Sequence, residues 1–161
     1  MSAKSSLRHQ LVGAWELVSY AVYSEESAST VLHPLGEDAR GIIMYTPDGY
    51  MSAQLQRPGQ KNFAGTFPTD GSQSELAESA ERYIGYTGAY YLDESGEKPL
   101  LQHHFSVSSF PNWLGDTQKR VLQFEGDLLI LSLDAPMELK GGRWNPILKW
   151  RRMTDNQAPA K

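Results

Sequence analysis

The chain has 161 residues, a formal net charge of −4 and no cysteine. Such a length suits one domain with a sizeable buried core. The near-balanced charge, without any block of like sign, argues against nucleic acid as a partner, which needs a basic patch to neutralise phosphates.

No apolar run approaches the roughly 20 residues of a membrane span, and the opening residues MSAKSSLRHQLVG have no apolar signal-peptide core. Together with the missing cysteines, this leads us to expect a cytoplasmic protein without a membrane partner.

Residues 1–6 read as a flexible tail, and 7–12 as a short helical turn. A first strand is expected over 13–23. Its faces are Trp15, Leu17, Ser19, Ala21 and Tyr23 against Glu16, Val18, Tyr20 and Val22. Residues 24–39 are polar and contain His33-Pro34, so they read as a loop. Strands at 41–46 and 50–55 follow, joined by Pro47-Asp48-Gly49, a strong hairpin signal. Residues 57–72, rich in Gly, Pro, Thr and Asn, predict a long mobile loop that gates one end of the fold.

The period then changes from two to about 3.6. Residues 72–84 predict one helix, capped by Ser72 or Ser74. Glu75 and Glu78 suit its N-terminal end, and Leu76, Ala80, Tyr83 and Ile84 give it an apolar face. Strands resume at 86–92, 100–107, 117–125, 127–133 and 143–152, and a second polar tail occupies 154–161. The expectation is an all-β, eight-stranded antiparallel up-and-down barrel over 7–153, with one short helix inserted between strands three and four.

Closure is suggested by the two ends of the chain. Gly13-Ala14-Trp15 opens the first strand and Trp150-Arg151-Arg152 ends the last. A tryptophan plugging one barrel end needs a cap, and a long cation stacked on its ring supplies one. Alternation groups Leu148, Trp150 and Arg152 on one face, which favours Arg152 as that cap. Gly13, Trp15 and Arg152 are therefore the expected closure residues.

Several strings go beyond generic barrel pattern. They are Leu11-Val12-Gly13-Ala14-Trp15-Glu16-Leu17, the run Gly41 to Leu55, Gly85-Tyr86-Thr87-Gly88-Ala89-Tyr90, His103-His104, Pro111-Asn112-Trp113-Leu114-Gly115 with Gln118 and Arg120, and Leu148-Lys149-Trp150-Arg151-Arg152. In this order they resemble the lipocalin-like domain family of small bacterial and fungal proteins, over about residues 7–153. The resemblance implies a calycin-type barrel and no settled activity. More distant two-domain fungal relatives act as cyclases on polyketide-derived substrates, an analogy of fold alone.

Candidate chemistry centres on Arg120, which shares a strand face with Gln118, Leu122 and Phe124. If that face lines the barrel, the guanidinium needs a partner. The partner is either a ligand carboxylate, enolate or phenolate, or backbone carbonyls and an internal carboxylate in a purely structural role. His103, with Leu101, Phe105 and Val107 on its face, is either a general acid or base or a satisfied core histidine. His104 points the other way, so the pair cannot chelate one metal, and no metal or other cofactor is expected. Tyr45, Ser52, Gln54, Tyr86 and Tyr90 are further candidates for holding a ligand, with Tyr90 joining His103 and Arg120 as a catalytic candidate. Asn112-Trp113 reads as a loop-shaping element, or alternatively as a lid. No nucleophile elbow, phosphate loop or dinucleotide fingerprint is present.

Three functions remain open. The first is binding of a small hydrophobic or aromatic molecule, an acidic one included, inside the barrel. The second is a metal-free isomerase or cyclase using the same cavity, and the third is a filled structural barrel whose surface binds proteins.

Overall fold

A computed structural model describes residues 6–157. Residues 1–5 and 158–161 of the expected tails lie outside the described residues. Ser6 caps a short helix α1 (Leu7–Leu11) by accepting from the His9 amide. The strands are β1 (Gly13–Ser24), β2 (Val31–Leu32), β3 (Arg40–Tyr45), β4 (Tyr50–Gln56), β5 (Tyr83–Asp93), β6 (Leu100–Ser108), β7 (Thr117–Glu125), β8 (Leu128–Ser132), β9 (Met137–Leu139) and β10 (Gly142–Arg152). A helix α2 (Gln73–Glu81) precedes β5, and a single 3-10 turn, Pro111–Trp113, precedes β7.

Eight of these strands close an antiparallel barrel in the order β1-β3-β4-β5-β6-β7-β8-β10, with β10 returning to β1. The two-residue β2 and three-residue β9 are appendages, paired to β1 and β10 respectively. Strand β2 lies inside the stretch expected to be a loop. It moves the helix to a place after the fourth strand in chain order rather than the third. No helix among the described residues is long and apolar enough to cross a membrane.

Two bulges decide which side chains enter the barrel. Leu17 pairs with Trp150 and Ser19 with Lys149, so Val18 is an extra residue on β1. A single inserted residue exchanges the two faces beyond it. Trp15 and Leu17 point inward before the bulge, and Tyr20 does so after it. The uninterrupted face of Trp15, Leu17, Ser19, Ala21 and Tyr23 is therefore broken at Val18. The second bulge places Ser106 between Phe105, opposite Gly88, and Val107, opposite Thr87. Val107 consequently lies outside, 62% exposed, and not beside His103 as expected. At Gly88 an added Cβ would lie 1.8 Å from the His104 carbonyl oxygen, so only glycine permits this approach of β5 to β6.

Helix α2 ends earlier than expected. Its capping box is complete, Ser72 accepting from the Glu75 amide while the Glu75 carboxylate accepts from the Ser72 amide. Tyr83 and Ile84 belong to β5, and no residue of α2 is buried. The other Glu75 carboxylate oxygen takes the Ala64 amide at 2.8 Å, which ties the preceding loop to the helix.

Candidate functional site: the open end of the barrel

The two barrel ends differ in what fills them. At one end, Leu11 of α1 lies over Trp15, whose indole N–H donates to the Leu11 carbonyl at 2.9 Å. Phe124, partly buried, packs 5.9 Å from the Trp15 ring, and the fully buried Leu129 and Trp150 complete the plug. The Arg152 guanidinium carbon stands 4.1 Å from the centre of the Trp15 ring. Its terminal nitrogens donate to the carbonyls of Val12 and Gln10. Gly13, at φ 125°, leaves room for that cation, because a Cβ there would sit 2.9 Å from Arg152 Nη1.

The other end holds a cavity of about 50 Å³. Arg120, His103, Tyr86 and Tyr20 line it on the polar side, and Leu55, Ile84, Leu131 and Leu148 on the apolar side. Trp113, from the 3-10 turn, covers it, with its ring 5.7 Å from Tyr86, 5.7 Å from Phe105 and 5.4 Å from Phe110. The space is that of one or two waters at about 30 Å³ each. An aromatic guest needs several times more, so Trp113 or Tyr86 must swing aside to admit one.

Gln118, Arg120, Leu122 and Phe124 of β7 face this interior. Arg120 lies opposite Leu101 in the register, whereas His103 lies opposite Gln118. Its guanidinium donates to the Gln118 side-chain oxygen at 2.7 Å and to the Lys119 carbonyl at 2.9 Å. The Gln118 amide in turn reaches the exposed Asp116 carboxylate at 3.4 Å. Arg120 belongs to none of the ion pairs among the described residues.

Among the described residues His103 is the one buried polar or charged side chain apart from tyrosine and tryptophan, and its Nε2 shares a 2.9 Å hydrogen bond with the Tyr45 hydroxyl. Burial, aided by the Arg120 charge, pulls the His103 pKa down to about 3, so the imidazole is neutral. Burial raises Tyr45 well above its ordinary value, pushes Tyr86 up to about 12 and raises Tyr20 as well. The Arg120 charge opposes that rise at all three phenols. The site therefore presents one permanent cation, neutral phenols and a neutral imidazole.

Other sequence candidates lie elsewhere. Ser52 and Gln54 are on the outer face of β4, because Met51, Ala53 and Leu55 are its buried residues. Ser52 accepts from the Thr87 hydroxyl at 2.6 Å, and Gln54 borders an external groove with Ile42, Met44 and Tyr83. Neither can touch a guest beside Arg120. Tyr90 faces inward but donates its hydroxyl to the Thr46 carbonyl at 2.7 Å, below the cavity and away from it. Tyr45 stands behind His103 and also does not line the space. His104 points outward to the Thr117 hydroxyl at 2.9 Å. No residue of 57–72 lines the cavity; the covering residue is Trp113. Tyr20 is the site residue that sequence reasoning missed, because the bulge at Val18 reverses its face.

Four larger hollows lie elsewhere among the described residues, two of them well above the others in volume. One is the groove by Gln54, of about 700 Å³, and the other, of about 470 Å³, lies beside Arg8, Tyr50 and Tyr91. Tyr90 lines the second of them, and neither contains His103, Tyr86 or Arg120.

Comparison with known proteins agrees with this architecture. A curated relative from Aspergillus oryzae (strain ATCC 42149 / RIB 40), a 4'-hydroxy-3'-methoxypropiophenone carrier protein, is 34% identical over 108 residues, covering 64% of this chain and 96% of the relative. The model of the lipocalin-like domain matches residues 12–153, and the chain belongs to that family.

Proposed function

We propose that this protein is a carrier for a small aromatic molecule bearing an acidic group, held in the open barrel end between Trp113 and Arg120. One observation carries this reading: among the described residues, Arg120 is the only charged one lining the cavity, and its hydrogen-bond partners are neutral. A half-buried cation without a carboxylate favours an anionic or electron-rich guest. The flat faces of Trp113, Tyr86 and Phe105 suit a ring, and the aliphatic wall suits a short apolar substituent. The carrier named among the relatives supports the same class of ligand.

The test is titration of tryptophan fluorescence with 4'-hydroxy-3'-methoxypropiophenone, followed by recovery of the ligand. Saturable quenching with unchanged ligand supports a carrier. Chemical conversion of the recovered ligand supports an enzyme instead. The observation favouring that second reading is the buried Tyr45–His103 hydrogen bond, which has the form of a proton relay. The small cavity favours the third reading, a filled barrel, and absence of binding by any aromatic acid or phenol would establish it.

A further inference from the structure

We infer that the cavity takes its guest as a phenolate: a phenol acidified by a carbonyl conjugated through its ring gives up its proton to solvent and seats the oxyanion on Arg120. The inference rests on the carrier reading and specifies the ionisation state of its ligand. An arginine has five N–H donors. Two are used on Gln118 and Lys119, and both acceptors are neutral. The remaining donors can meet an oxygen without breaking either bond.

Among the described residues, nothing lining the cavity compensates the cation. β1 contributes Tyr20, β3 Tyr45, β5 Tyr86 and β6 His103. Strands β4, β8 and β10 contribute Leu55, Leu131 and Leu148. The one carboxylate connected to Arg120 is Asp116, which is exposed and reaches only the far end of Gln118. An oxyanion arriving here meets one cation and two neutral hydroxyl donors, Tyr20 and Tyr86. A neutral phenol meets the same groups but leaves the guanidinium charge uncompensated. The single oxygen of a phenolate suits a guanidinium whose two terminal nitrogens are already engaged. A carboxylate, by contrast, is best held by both together.

None of these protein groups changes charge near neutrality. His103 has already lost its proton well below that range, and the tyrosines keep theirs above it. The proton released on binding therefore comes from the ligand, and linkage fixes the sign. Affinity for the phenol rises with pH up to the ligand's own pKa and then levels off.

The probes are 4'-hydroxyacetophenone and its methyl ether, 4'-methoxyacetophenone, titrated between about pH 5.5 and 8.5. Linkage of one proton predicts about tenfold tighter phenol binding per pH unit. The bound phenol should show the long-wavelength band of its phenolate at a pH where the free phenol is protonated. The ether should bind weakly and without pH dependence. Arg120→Met should abolish the band and bring the two affinities within about twofold, whereas Arg120→Lys keeps the charge and should retain the band. If the ether binds as tightly as the phenol, or the bound phenol keeps its neutral spectrum, the inference is overturned while the carrier reading stands. If neither probe binds at any pH, both are overturned. Should Arg120→Met fail to fold, the wild-type pH series and the ether comparison decide alone.

Discussion

Arg152 and Arg120 occupy opposite ends of one barrel, and each stands among aromatic rings. Their ties are different in kind. Arg152 bonds carbonyls at Val12 and Gln10, at the other end of the sequence, and covers the Trp15 ring. Arg120 bonds only its own strand, at Gln118 and Lys119. A cation that joins distant segments is part of the fold. One whose bonds stay within its own strand can serve a guest without loosening anything else.

The largest effect should come from the closed end. Trp15→Ala removes a fully packed ring and its bond to Leu11, and should cost about 3–5 kcal/mol in urea denaturation. A melting temperature within a degree or two of wild type would show that the plug is not a plug. Second comes the acid limb of stability. His103 has a folded pKa of about 3, below its unfolded value near 6.5, so the unfolded chain binds more protons between those limits. Stability should fall as pH drops below about 6.5, by up to about 1.4 kcal/mol per pH unit. His103→Gln should flatten this limb. An unchanged slope would mean that another group titrates.

The two arginines give the direct contrast. Arg152→Met should destabilise by about 1–2 kcal/mol, through loss of the cation–π contact and two carbonyl bonds. Arg120→Met should cost less than about 1 kcal/mol, since no buried carboxylate is left behind. Equal losses at the two positions would erase the distinction between them. The smallest effect concerns the loop before α2. Glu75→Gln weakens the carboxylate acceptor for Ala64 and Ser72, so amide exchange should quicken at those residues while the barrel strands stay protected.

Much of the barrel was legible because alternation repeats over many residues. Met51, Ala53 and Leu55 are apolar against Ser52 and Gln54, and a hairpin signal stands at Pro47-Asp48-Gly49. The same alternation already implied that Ser52 and Gln54 face outward; their polarity drew them into the candidate site against that pattern. Tyr20 was not legible, because Val18, Tyr20 and Val22 are all apolar or amphipathic and a bulge among them leaves no trace in composition. Val107 was misplaced for the same reason at Ser106. Trp113 read from sequence as a loop-shaping residue or a lid, and its place at the cavity follows from how Pro111–Trp113 crosses the barrel end. Strand β2 is two residues long, and no periodicity exists at that length.

The pairing of β1 with β10 also bears on the order of events during synthesis. Every other junction of the barrel joins strands that are neighbours along it, and most are short hairpins that close locally. The seam instead joins groups 140 residues apart, as the bond from Arg152 to Val12 records. On a ribosome the first strand is finished long before its last partner exists. Until β10 emerges, β1 keeps one open edge and Trp15 has no cap. The free edge of β1 must meanwhile be protected by something other than β10, and the step that completes the barrel waits for β10.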